Sequence, residues 1–510
     1  MTKDNRLNVT RRTMLLGTAA VLGSAALTGL STGMARAQDG DVLRLAVTGS
    51  NADSLDPHRT QGQLTDIVRF TNLFDGLCEF NPDTSVANVL AESFTPNEDA
   101  TVWTVKLVSG VKTHAGGDFG ADDVIYSVKR ILDPANPTKG GSLIGFIDAE
   151  KVEKVDDLTI RFTLATPYGP FREIWANRYL RMVTQDFDPA APVGTGPFKF
   201  LSFAPGQESM FERFDDYFRG KAGVAKVQIT NISDETASIN ALRGGQVDMA
   251  YKIPFAEARI LEAEPGIKLL NNPSGMSLPL YMRTDIAPFN DVRVRQAFRL
   301  IADRDMMVRA ALAGYGEVGN DMQGRSIAPC GPTEVEQRKQ DIEAAKKLLE
   351  EAGQSGLSVE LATVNGTSGM VECAQVFAEQ AKAAGVTVKV NVLEEAAYLA
   401  NYGEWAFGVD FLNDTYLPLV ARSLVPGGSF NNTHWDDAEF NALFAEASAS
   451  SDEAKRCEII SKMRMIEHER GGNIIWGFAN ILNAYSDRLQ GLETYVVDSA
   501  FYHLRKVSFV

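Results

Sequence analysis

The sequence predicts an α/β protein, and two kinds of periodicity carry that prediction. In the later part of the chain, a strand at 357–362, a helix at about 371–384 and a strand at 386–392 follow one another. Strands and helices that alternate at this length form βαβ units with a mostly parallel sheet. Earlier, Thr101–Leu107 and Leu158–Leu164 alternate apolar with polar residues. That pattern indicates half-buried antiparallel strands.

A strand, a turn and an amphipathic helix are predicted between residues 278 and 304, in the middle of the chain. The strand is Leu278–Met282 and the turn lies at Ala287-Pro288. Asn290 or Asp291 can cap the helix, because a short polar side chain accepts hydrogen bonds from the free N–H groups of the first turn. The helix has apolar residues at i, i+3, i+4 and i+7 spacing, and these are Val294, Ala297, Phe298 and Ile301.

The N-terminus has the pattern of an export signal. Arg11 and Arg12 form a twin-arginine pair, and a weakly apolar run diluted by glycines extends from Leu15 to Met34. Ala35-Arg36-Ala37 provides a small-residue cleavage site, so the mature chain is predicted to begin at Gln38. The alternative is an uncleaved membrane anchor, since the run is nearly long enough to span a bilayer. The glycines and the cleavage site favour export by the twin-arginine route and a periplasmic location.

The chain is acidic, with 66 Asp and Glu residues against 50 Lys and Arg and a formal net charge of −16. Loss of residues 1–37 removes five basic residues and one acidic residue, which makes the mature chain more negative by four charges. Such a surface argues against nucleic acid or an anionic membrane as a partner.

The four cysteines form no CxxC pair and have no histidine nearby; they are Cys78, Cys330, Cys373 and Cys457. Export permits a disulfide bond, but buried free thiols are an equal alternative. Spacing does not decide between the two.

Several strings of the sequence resemble one family of binding proteins. They include SNADSLDP at 50–57, GVKTHAGGDFGADDV at 110–124, VGTGPFKF at 193–200 and PFNDVRVRQAFRLIADRD at 288–305. The chain resembles extracytoplasmic solute-binding proteins of ABC importers, in the peptide/nickel/opine-binding family (family 5, which includes dipeptide- and oligopeptide-binding proteins). The resemblance extends from Asp41 to about Tyr485, with the strings in the family's order.

The resemblance implies a two-lobed periplasmic-binding-protein fold of type II, with an extra subdomain in the first lobe and a hinge of two crossing segments. The expected domains are a signal peptide at 1–37, a first lobe at 38–274 and a second lobe at 275–480. Residues 481–510 are expected to return to the first lobe, and the inserted subdomain is expected at about 75–180. The two crossings are expected at 275–282 and 478–485.

No pattern in the sequence indicates catalysis, a metal or another cofactor. The five histidines are scattered and form no HExxH spacing, and GxSxG, SxxK and Walker A motifs are absent from the sequence. A GxGxxG string at 314–319 follows a predicted helix, so a glycine cap and a loop explain it better than a dinucleotide site. His114 has no second ligand in register and is predicted to be structural. The protein is therefore predicted not to be an enzyme.

A recognition surface is predicted around 402–416, which combines aromatic and acidic residues as a small-molecule cleft requires. In peptide-binding members of the resembling family, this region supplies a tryptophan wall and an aspartate for the peptide's α-amino group. The family's W…D…DP motif is not intact here, so Asp414 is the first choice for that anchor and Asp410 is the alternative. The resemblance also places the loop of Ser54 near the cleft. The predicted ligand-binding residues are Ser54, Met276, Ser277, Trp405, Asn413, Asp414 and Tyr416.

A core position is an open alternative for Trp405 and Tyr416, since aromatic side chains in α/β lobes usually pack inside.

The resemblance implies a periplasmic receptor that captures a small solute, with a peptide as first choice. It would deliver that solute to the permease subunits of an ABC transporter in the inner membrane and act as a monomer. The alternatives are an opine, a sugar or another small organic solute on the same scaffold. A signalling or chaperone-like receptor and a secreted hydrolase are further alternatives, and no activated nucleophile in the sequence supports the hydrolase.

Overall fold

The structure is a computed structural model that describes residues 42–60, 64–325 and 329–510. The predicted signal peptide and its cleavage site lie outside the described residues. The described strands are, in chain order, β1 (Val42–Val47), β2 (Cys78–Phe80), β3 (Val86–Asn88), β4 (Ala91–Pro96), β5 (Val102–Leu107), β6 (Ile147–Asp156), β7 (Thr159–Leu164), β8 (Phe198–Ala204), β9 (Glu208–Arg213), β10 (Lys226–Asn231), β11 (Met249–Ala250), β12 (Ile267–Ser277), β13 (Leu280–Met282), β14 (Gly316–Val318), β15 (Ser358–Val364), β16 (Thr387–Leu393), β17 (Phe407–Val409), β18 (Asn473–Ile474), β19 (Gly477–Ser486), β20 (Leu489–Gln490) and β21 (Ser508–Phe509).

The described α-helices are α1 (Leu64–Leu73), α2 (Ala121–Ile131), α3 (Lys139–Ile144), α4 (Phe171–Ile174), α5 (Glu235–Arg243), α6 (Phe255–Glu262), α7 (Val292–Ile301), α8 (Arg304–Ala311), α9 (Ile342–Glu351), α10 (Met370–Ala381), α11 (Glu395–Ala400), α12 (Tyr416–Ser423), α13 (Ala438–Ala449) and α14 (Glu453–Arg470). Short 3-10 helices occupy Lys382–Ala384, Ala500–Tyr502 and Leu504–Lys506.

The first lobe is built around a mixed sheet in the order β12-β19-β11-β1-β10-β9-β8, with β14 beside β19. β1 runs parallel to β10 and to β11, and the other pairs are antiparallel. Leu43, Leu45 and Val47 of β1 are fully buried. Their apolar side chains pack in one core with Phe70 of α1, so β1 is the buried centre of this lobe.

An inserted subdomain, defined as β4–β7 with α2–α4, follows β3 in the chain. Its antiparallel sheet has the order β4-β5-β7-β6. The two alternating strands predicted from the sequence pair with each other as β5 and β7, with Val105 opposite Ile160. Both of these side chains are fully buried, and they pack with the rings of Phe162 and Trp175 in a separate core.

The chain from β13 to β18 forms the second lobe, except that β14 pairs with β19 of the first-lobe sheet, and this lobe contains a mixed sheet in the order β16-β15-β17-β13-β18. The predicted βαβ unit is present as β15, α10 and β16, and its two strands are parallel. The predicted apolar face of α7 is fully buried in the core of this lobe. Asp291 caps α7 by accepting a hydrogen bond from the Arg293 N–H at 2.8 Å. The predicted strand at 278–282 begins only at Leu280, because Pro279 has no N–H to donate to a neighbouring strand.

The chain passes between the two lobes along two paired segments. β12 ends at Ser277 and the chain enters the second lobe as β13, whereas β18 leaves that lobe and the chain returns as β19. β12 and β19 are antiparallel neighbours, with Ser277 opposite Phe478. The Trp476 Nε1–H donates to the Leu278 carbonyl at 2.7 Å, which ties the two segments together where they cross. The two-lobed α/β fold with a hinge of two crossing segments is therefore confirmed.

A disulfide bond joins Cys330 to Cys457, across 127 positions of sequence, and the other two cysteines are free and buried. The bond attaches the segment before α9 to α14. It resolves the question that the cysteine spacing left open.

We expect a thiol titration to count two reactive thiols in mature protein denatured without reductant and four after reduction. Replacing Cys330→Ser and Cys457→Ser should lower the free energy of unfolding by about 2–5 kcal/mol, because the bond restricts a long loop of the unfolded chain. Cys78→Ala, which removes a free thiol, is the control for the denaturation curves. Four thiols in the unreduced protein would contradict the pairing.

Candidate ligand-binding cleft

A cleft of about 1240 Å³ lies between the second lobe and the inserted subdomain. One wall comes from the first lobe and the subdomain, at 58–60, 135–146 and 166–179, with Val497 beside them. The other comes from the second lobe, at 413–430, with Phe444 and Ser448 of α13. The volume exceeds the roughly 300–1,000 Å³ of ordinary small-molecule sites. The cleft is thus large enough for a solute of several residues.

The second-lobe wall is built by α12 and the two residues before Thr415. One face of α12, with Tyr416 and Val420, is buried against α13 and α14. The other face presents Pro418, Ala421 and Arg422 to the cleft. Pro418 fits because it lies in the first turn of α12, where backbone N–H groups have no partner within the helix.

The subdomain wall combines aromatic rings with cations. The ring of Tyr168 stacks on that of Phe146, with 4.1 Å between the centroids. The Lys139 ammonium and the Arg178 guanidinium lie 5.6 Å and 5.5 Å from the centre of the Tyr179 ring. These are cation–π distances, so Tyr179 helps to hold both cations at the cleft.

Two of the predicted ligand-binding residues, Asn413 and Asp414, line the cleft. The Asn413 Oδ1 atom is buried and accepts no hydrogen bond from the described protein. The Asp414 Oδ1 atom accepts from the Thr415 N–H at 2.9 Å, and its Oδ2 atom lies 3.5 Å from an Arg422 nitrogen. The loop before α12 therefore places both residues at the cleft, with the Asn413 Oδ1 atom directed toward Gly275.

Ser54, Met276 and Ser277 do not line the cleft. Ser54 Oγ accepts a hydrogen bond from the Asp56 N–H at 3.0 Å and stabilises its own turn. Ser277 is buried, and its hydroxyl donates to Gln323 Oε1 at 3.0 Å. Met276 packs against the core of the second lobe. The side chains of Met276 and Ser277, at the end of β12, therefore contact protein and not the cleft.

Tyr416 occupies the core position that the sequence left open for it, whereas Trp405 is half-buried and packs against the core of the second lobe, outside the cleft. Trp405 stacks on Tyr398, and its Nε1–H donates to the Tyr398 carbonyl at 3.3 Å. Tyr416 is 2 % exposed, and its hydroxyl donates to Glu467 Oε2 at 3.2 Å. Burial raises the pKa of Glu467 to about 7, although Arg464 and hydrogen bonds act to lower it. Tyr416 thus fixes α12 to α14 and does not reach the cleft.

Asp410, the alternative anchor, is also internal. Its Oδ2 atom accepts from the Tyr402 hydroxyl at 2.5 Å and from the Asn432 amide at 2.7 Å, and its Oδ1 atom accepts from the Phe411 N–H at 2.8 Å. Burial raises the pKa of this carboxyl, and the hydrogen bonds act to lower it. Because Asp410 is buried and does not line the cleft, the geometry favours Asp414 over Asp410 as a solute contact.

The sequence analysis missed the subdomain wall and Arg422. Lys139, Tyr168, Arg178 and Tyr179 lie more than 230 positions before Arg422 in the chain. The short string Asn177-Arg178-Tyr179, a cation beside an aromatic residue, was the available signal. Nothing in that string indicates which distant segment it faces.

The two walls touch at the end of the cleft. The Gly169 N–H donates to the Ser448 carbonyl at 2.7 Å, and Arg456 of α14 donates to Glu173 Oε1 at 2.7 Å. A Cβ atom at position 169 would lie 1.7 Å from the Ser450 carbonyl oxygen, so this close approach requires glycine. The structure therefore shows the lobes in contact away from the hinge.

A profile of the bacterial extracellular solute-binding proteins of family 5 matches residues 85–450. This match covers most of the chain and the elements that form both walls of the cleft. The chain belongs to this family. Its members are extracellular proteins of bacteria that bind solutes.

Two relatives and a further solved structure are similar to this chain. The glutathione-binding protein GsiB of Pectobacterium atrosepticum is 28% identical over 437 residues, which cover 80% of this chain and 83% of GsiB. The protein AgaA from A. tumefaciens, solved with agropinic acid, is 25% identical, with a TM-score of 0.74 over 92% of this chain and 99% of AgaA. The CtaP protein of Listeria monocytogenes shares the fold, with a TM-score of 0.82, 22% identity and coverage of 92% of this chain and 99% of CtaP.

Within the described ranges of this family 5 protein, no helix is long and apolar enough to cross a membrane. The same ranges contain no group of three or more His, Cys, Asp or Glu side chains that could hold a metal ion. His114 is half-buried; its Nδ1 accepts a hydrogen bond from the Gly194 N–H at 3.1 Å, and its Nε2 lies 2.9 Å from the Gly196 carbonyl oxygen. It holds the loop at 194–196, which agrees with the structural role predicted for it.

We expect Gly169→Ala to weaken solute binding by keeping the lobes apart. The new methyl group would collide with backbone atoms at 450–451, and overpacking of this kind costs roughly 1–3 kcal/mol, or about 5- to 150-fold in affinity. Gly117→Ala is the matched control, because its Cβ would meet only Thr113 Oγ1 at 3.6 Å. Calorimetry with the solute released from wild-type protein measures the affinities. Small-angle scattering should show a larger radius of gyration for Gly169→Ala than for the control at saturating solute, and equal radii would contradict the contact.

Proposed function

We propose that this family 5 protein is a periplasmic receptor that captures a small peptide or a peptide-like solute in the cleft and delivers it to an ABC importer. The observation that carries the proposal is the cleft of about 1240 Å³ between two lobes joined by paired crossings. A solute that contacts both walls binds best when the lobes are closed, so it shifts the population toward closure. GsiB, which is named as a glutathione-binding protein, and AgaA, which was solved with agropinic acid, support solutes with peptide or acid groups.

The proposal includes the domain limits predicted from the sequence. It also includes that the protein acts as a monomer and docks on the permease subunits. The course of the chain supports the limits near the hinge, since the expected crossing at 275–282 runs from the end of β12 into β13 and the one at 478–485 lies within β19.

We propose that the protein does no chemistry on its solute. An activated nucleophile would require a hydrogen bond between a histidine and a serine, threonine or cysteine side chain. The hydrogen bonds of the described residues include no such pair. His58 lines the cleft, but its ring nitrogens contact the Arg181 carbonyl and the Arg130 guanidinium. Burial lowers the pKa of His58 to about 4. These contacts support a structural role for His58, the one histidine among the described residues that line the cleft.

The experiment that tests the function begins with mature protein purified from the periplasm. Denaturation should release the bound solute for mass spectrometry, and the refolded protein should bind the same solute again in calorimetry. The solute should be recovered unchanged, and a strain without the gene should fail to import it. Chemical conversion of the solute by purified protein would favour the hydrolase. Normal import in the deletion strain would favour a signalling or chaperone-like receptor.

Asp414 is the proposed anchor for the ammonium group of a peptide. A carboxylate in the cleft wall, with a side chain 13 % exposed, can pair with a cation as the solute is desolvated. Asp414→Asn should weaken binding of a peptide with a free α-amino group by about 2–5 kcal/mol, or roughly 30- to 5,000-fold. Calorimetry with that peptide and its N-acetyl form is the measurement.

The wild-type protein should prefer the free amine, and Asp414→Asn should lose this preference. The exposed Asp436 of the same lobe lies outside the cleft wall, so Asp436→Asn serves as the control. Equal wild-type affinities for the two forms would rule out an ammonium at Asp414.

Export by the twin-arginine route is also part of the proposal, and Arg11 and Arg12 test it. Because the export machinery reads the arginine pair, Arg11→Lys with Arg12→Lys should leave unprocessed precursor in the cytoplasm. Cell fractionation and immunoblotting measure the two forms, and Arg6→Lys, outside the pair, is the control. Normal periplasmic yield from the double variant would contradict the twin-arginine route.

A further inference from the structure

A second, smaller pocket, the first-lobe pocket, is separate from the cleft. Its volume is about 60 Å³, and among the described residues it shares only Phe80 with the cleft. Its lining comes from the region around β2, from Arg181, from the segment after β9 and from the C-terminal segment after β20. A cavity needs roughly 10–15 Å³ to hold one water molecule, whereas ordinary small-molecule sites measure roughly 300–1,000 Å³. The first-lobe pocket therefore has room for a small ion or a few water molecules, but not for an organic solute.

The first-lobe pocket contains a buried arginine without a partner. Arg181 is 5 % exposed, and its Nε–H is buried with no hydrogen-bond acceptor in the part of the chain that the structure describes. Within the same ranges, its guanidinium donates no hydrogen bond and forms no ion pair. A guanidinium has several N–H donors and no acceptor, and buried donors that stay unpaired are costly. The structure thus leaves an unmet demand for an acceptor at this pocket.

The position of this guanidinium is set by the surrounding backbone. Arg181 forms an antiparallel bridge with Gly76, and His58 Nε2 lies 2.8 Å from the Arg181 carbonyl oxygen. The next residue, Met182, donates its N–H to the Asp75 carbonyl at 2.9 Å. A Cβ atom at Gly76 would lie 3.5 Å from Arg181 Nη1, so the guanidinium packs over this glycine. The donors are therefore held at the pocket before any ligand arrives.

The two carboxylates of the first-lobe pocket are bonded to other groups. Asp75 accepts from the Thr195 hydroxyl at 3.0 Å and from the Tyr217 hydroxyl at 2.9 Å, one on each oxygen. Glu79 accepts from both terminal nitrogens of Arg219, one of them at 2.8 Å. Glu79 is thus neutralised by Arg219, and neither carboxylate forms an ion pair with Arg181.

The lining of the first-lobe pocket has an excess of positive charge, although the chain as a whole is acidic. Its described residues include the two carboxylates and four cations, which are Arg181, Arg219, Arg505 and Lys506. Burial lowers the pKa of Arg181, and the nearby carboxylates, of which Asp498 acts most strongly, raise it by less. A buried charge is costly unless it is paired. The protein alone therefore compensates the charge of Arg181 incompletely.

We propose that the first-lobe pocket binds a small inorganic anion of the size and charge of chloride, held by the Arg181 guanidinium. Such an anion would accept hydrogen bonds from the unpaired N–H groups and would supply the missing negative charge. The alternative is a pocket filled by water alone, which would satisfy the donors but not the charge. The proposal goes beyond the receptor function, because the site lies outside the cleft and takes a different ligand.

The bound anion would connect separate parts of the first lobe. The Asn72 side chain of α1 donates to the Phe501 carbonyl at 3.0 Å and accepts from the Leu504 N–H at 3.2 Å. Arg505 donates to the Arg219 carbonyl at 3.0 Å. An anion in the pocket would therefore lie where α1, the segment after β9 and the C-terminal segment meet. Its binding should stabilise the folded protein without changing the affinity of the cleft for its solute.

The first test measures melting temperature in sodium chloride and in sodium gluconate at the same ionic strength, with mature wild-type protein. Gluconate is an organic anion too large for a pocket of about 60 Å³. The difference between the two salts should rise with chloride concentration along the curve for one binding site on the folded state. This test needs no solute, so its result is independent of the receptor function. A difference that does not change with chloride concentration would overturn the proposal.

Variants of Arg181 separate binding from general salt effects. Arg181→Met should raise the dissociation constant for chloride on the order of 10-fold or more, because it removes the charge and the donors. Arg181→Lys keeps the charge with fewer donors and should give an intermediate value, which covers the case of a methionine variant that does not fold. Arg243→Gln removes an exposed cation of α5 in the same lobe and should behave as wild type. An unchanged dissociation constant in both Arg181 variants would contradict the site.

Crystals of the wild-type protein grown in sodium bromide locate the anion directly. Bromide replaces chloride and scatters anomalously, so an anomalous peak should lie beside the Arg181 guanidinium, and it should be absent from Arg181→Met. Density without an anomalous peak would mean that the pocket holds water only. A peak in the crystal without a chloride-dependent melting temperature in solution would mean an adventitious ion only. Either of these results would overturn the proposal.

Discussion

The antiparallel pairing of β12 with β19 is the interaction on which the arrangement of the lobes depends. Because the chain crosses between lobes twice and the two crossings are hydrogen-bonded neighbours, each lobe can keep its own sheet and core while the angle between them changes. The Trp476 Nε1–H bond to the Leu278 carbonyl fixes the point from which both lobes diverge. The walls of the cleft are formed by parts of each lobe away from these two strands. No residue of β12 or β19 lines the cleft.

Much of the fold could be predicted from the sequence, because its signals are local. The apolar face of α7, the βαβ unit of β15, α10 and β16, and the alternation in β5 and β7 all follow from periodicity within a short window. The hinge was accessible only through the resemblance of whole strings to a family, since pairing of β12 with β19 joins segments about 200 positions apart. The site was predicted poorly for the same reason. Trp405 and Tyr416 have the composition of a binding wall, but their partners, Tyr398 and Glu467, hold them away from the cleft.

The charge of the cleft has the opposite sign to the charge of the chain, and composition could not have revealed this. Surface carboxylates keep the protein soluble, whereas the few arginines at the cleft come from three distant parts of the sequence. The role of Asp414 depends on the charged residues around it. As an isolated residue in a string it resembles a cation anchor, but in the fold it lies beside Arg422 and lines the same cleft as Arg178.

Contacts between the lobes away from the hinge define what the solute must supply. The hydrogen bond from Gly169 to Ser448 and the ion pair of Arg456 with Glu173 stabilise the closed arrangement without any solute. A solute that contacts both walls adds to these contacts, so it shifts the population toward the closed form by the difference between its affinities for the closed and open forms.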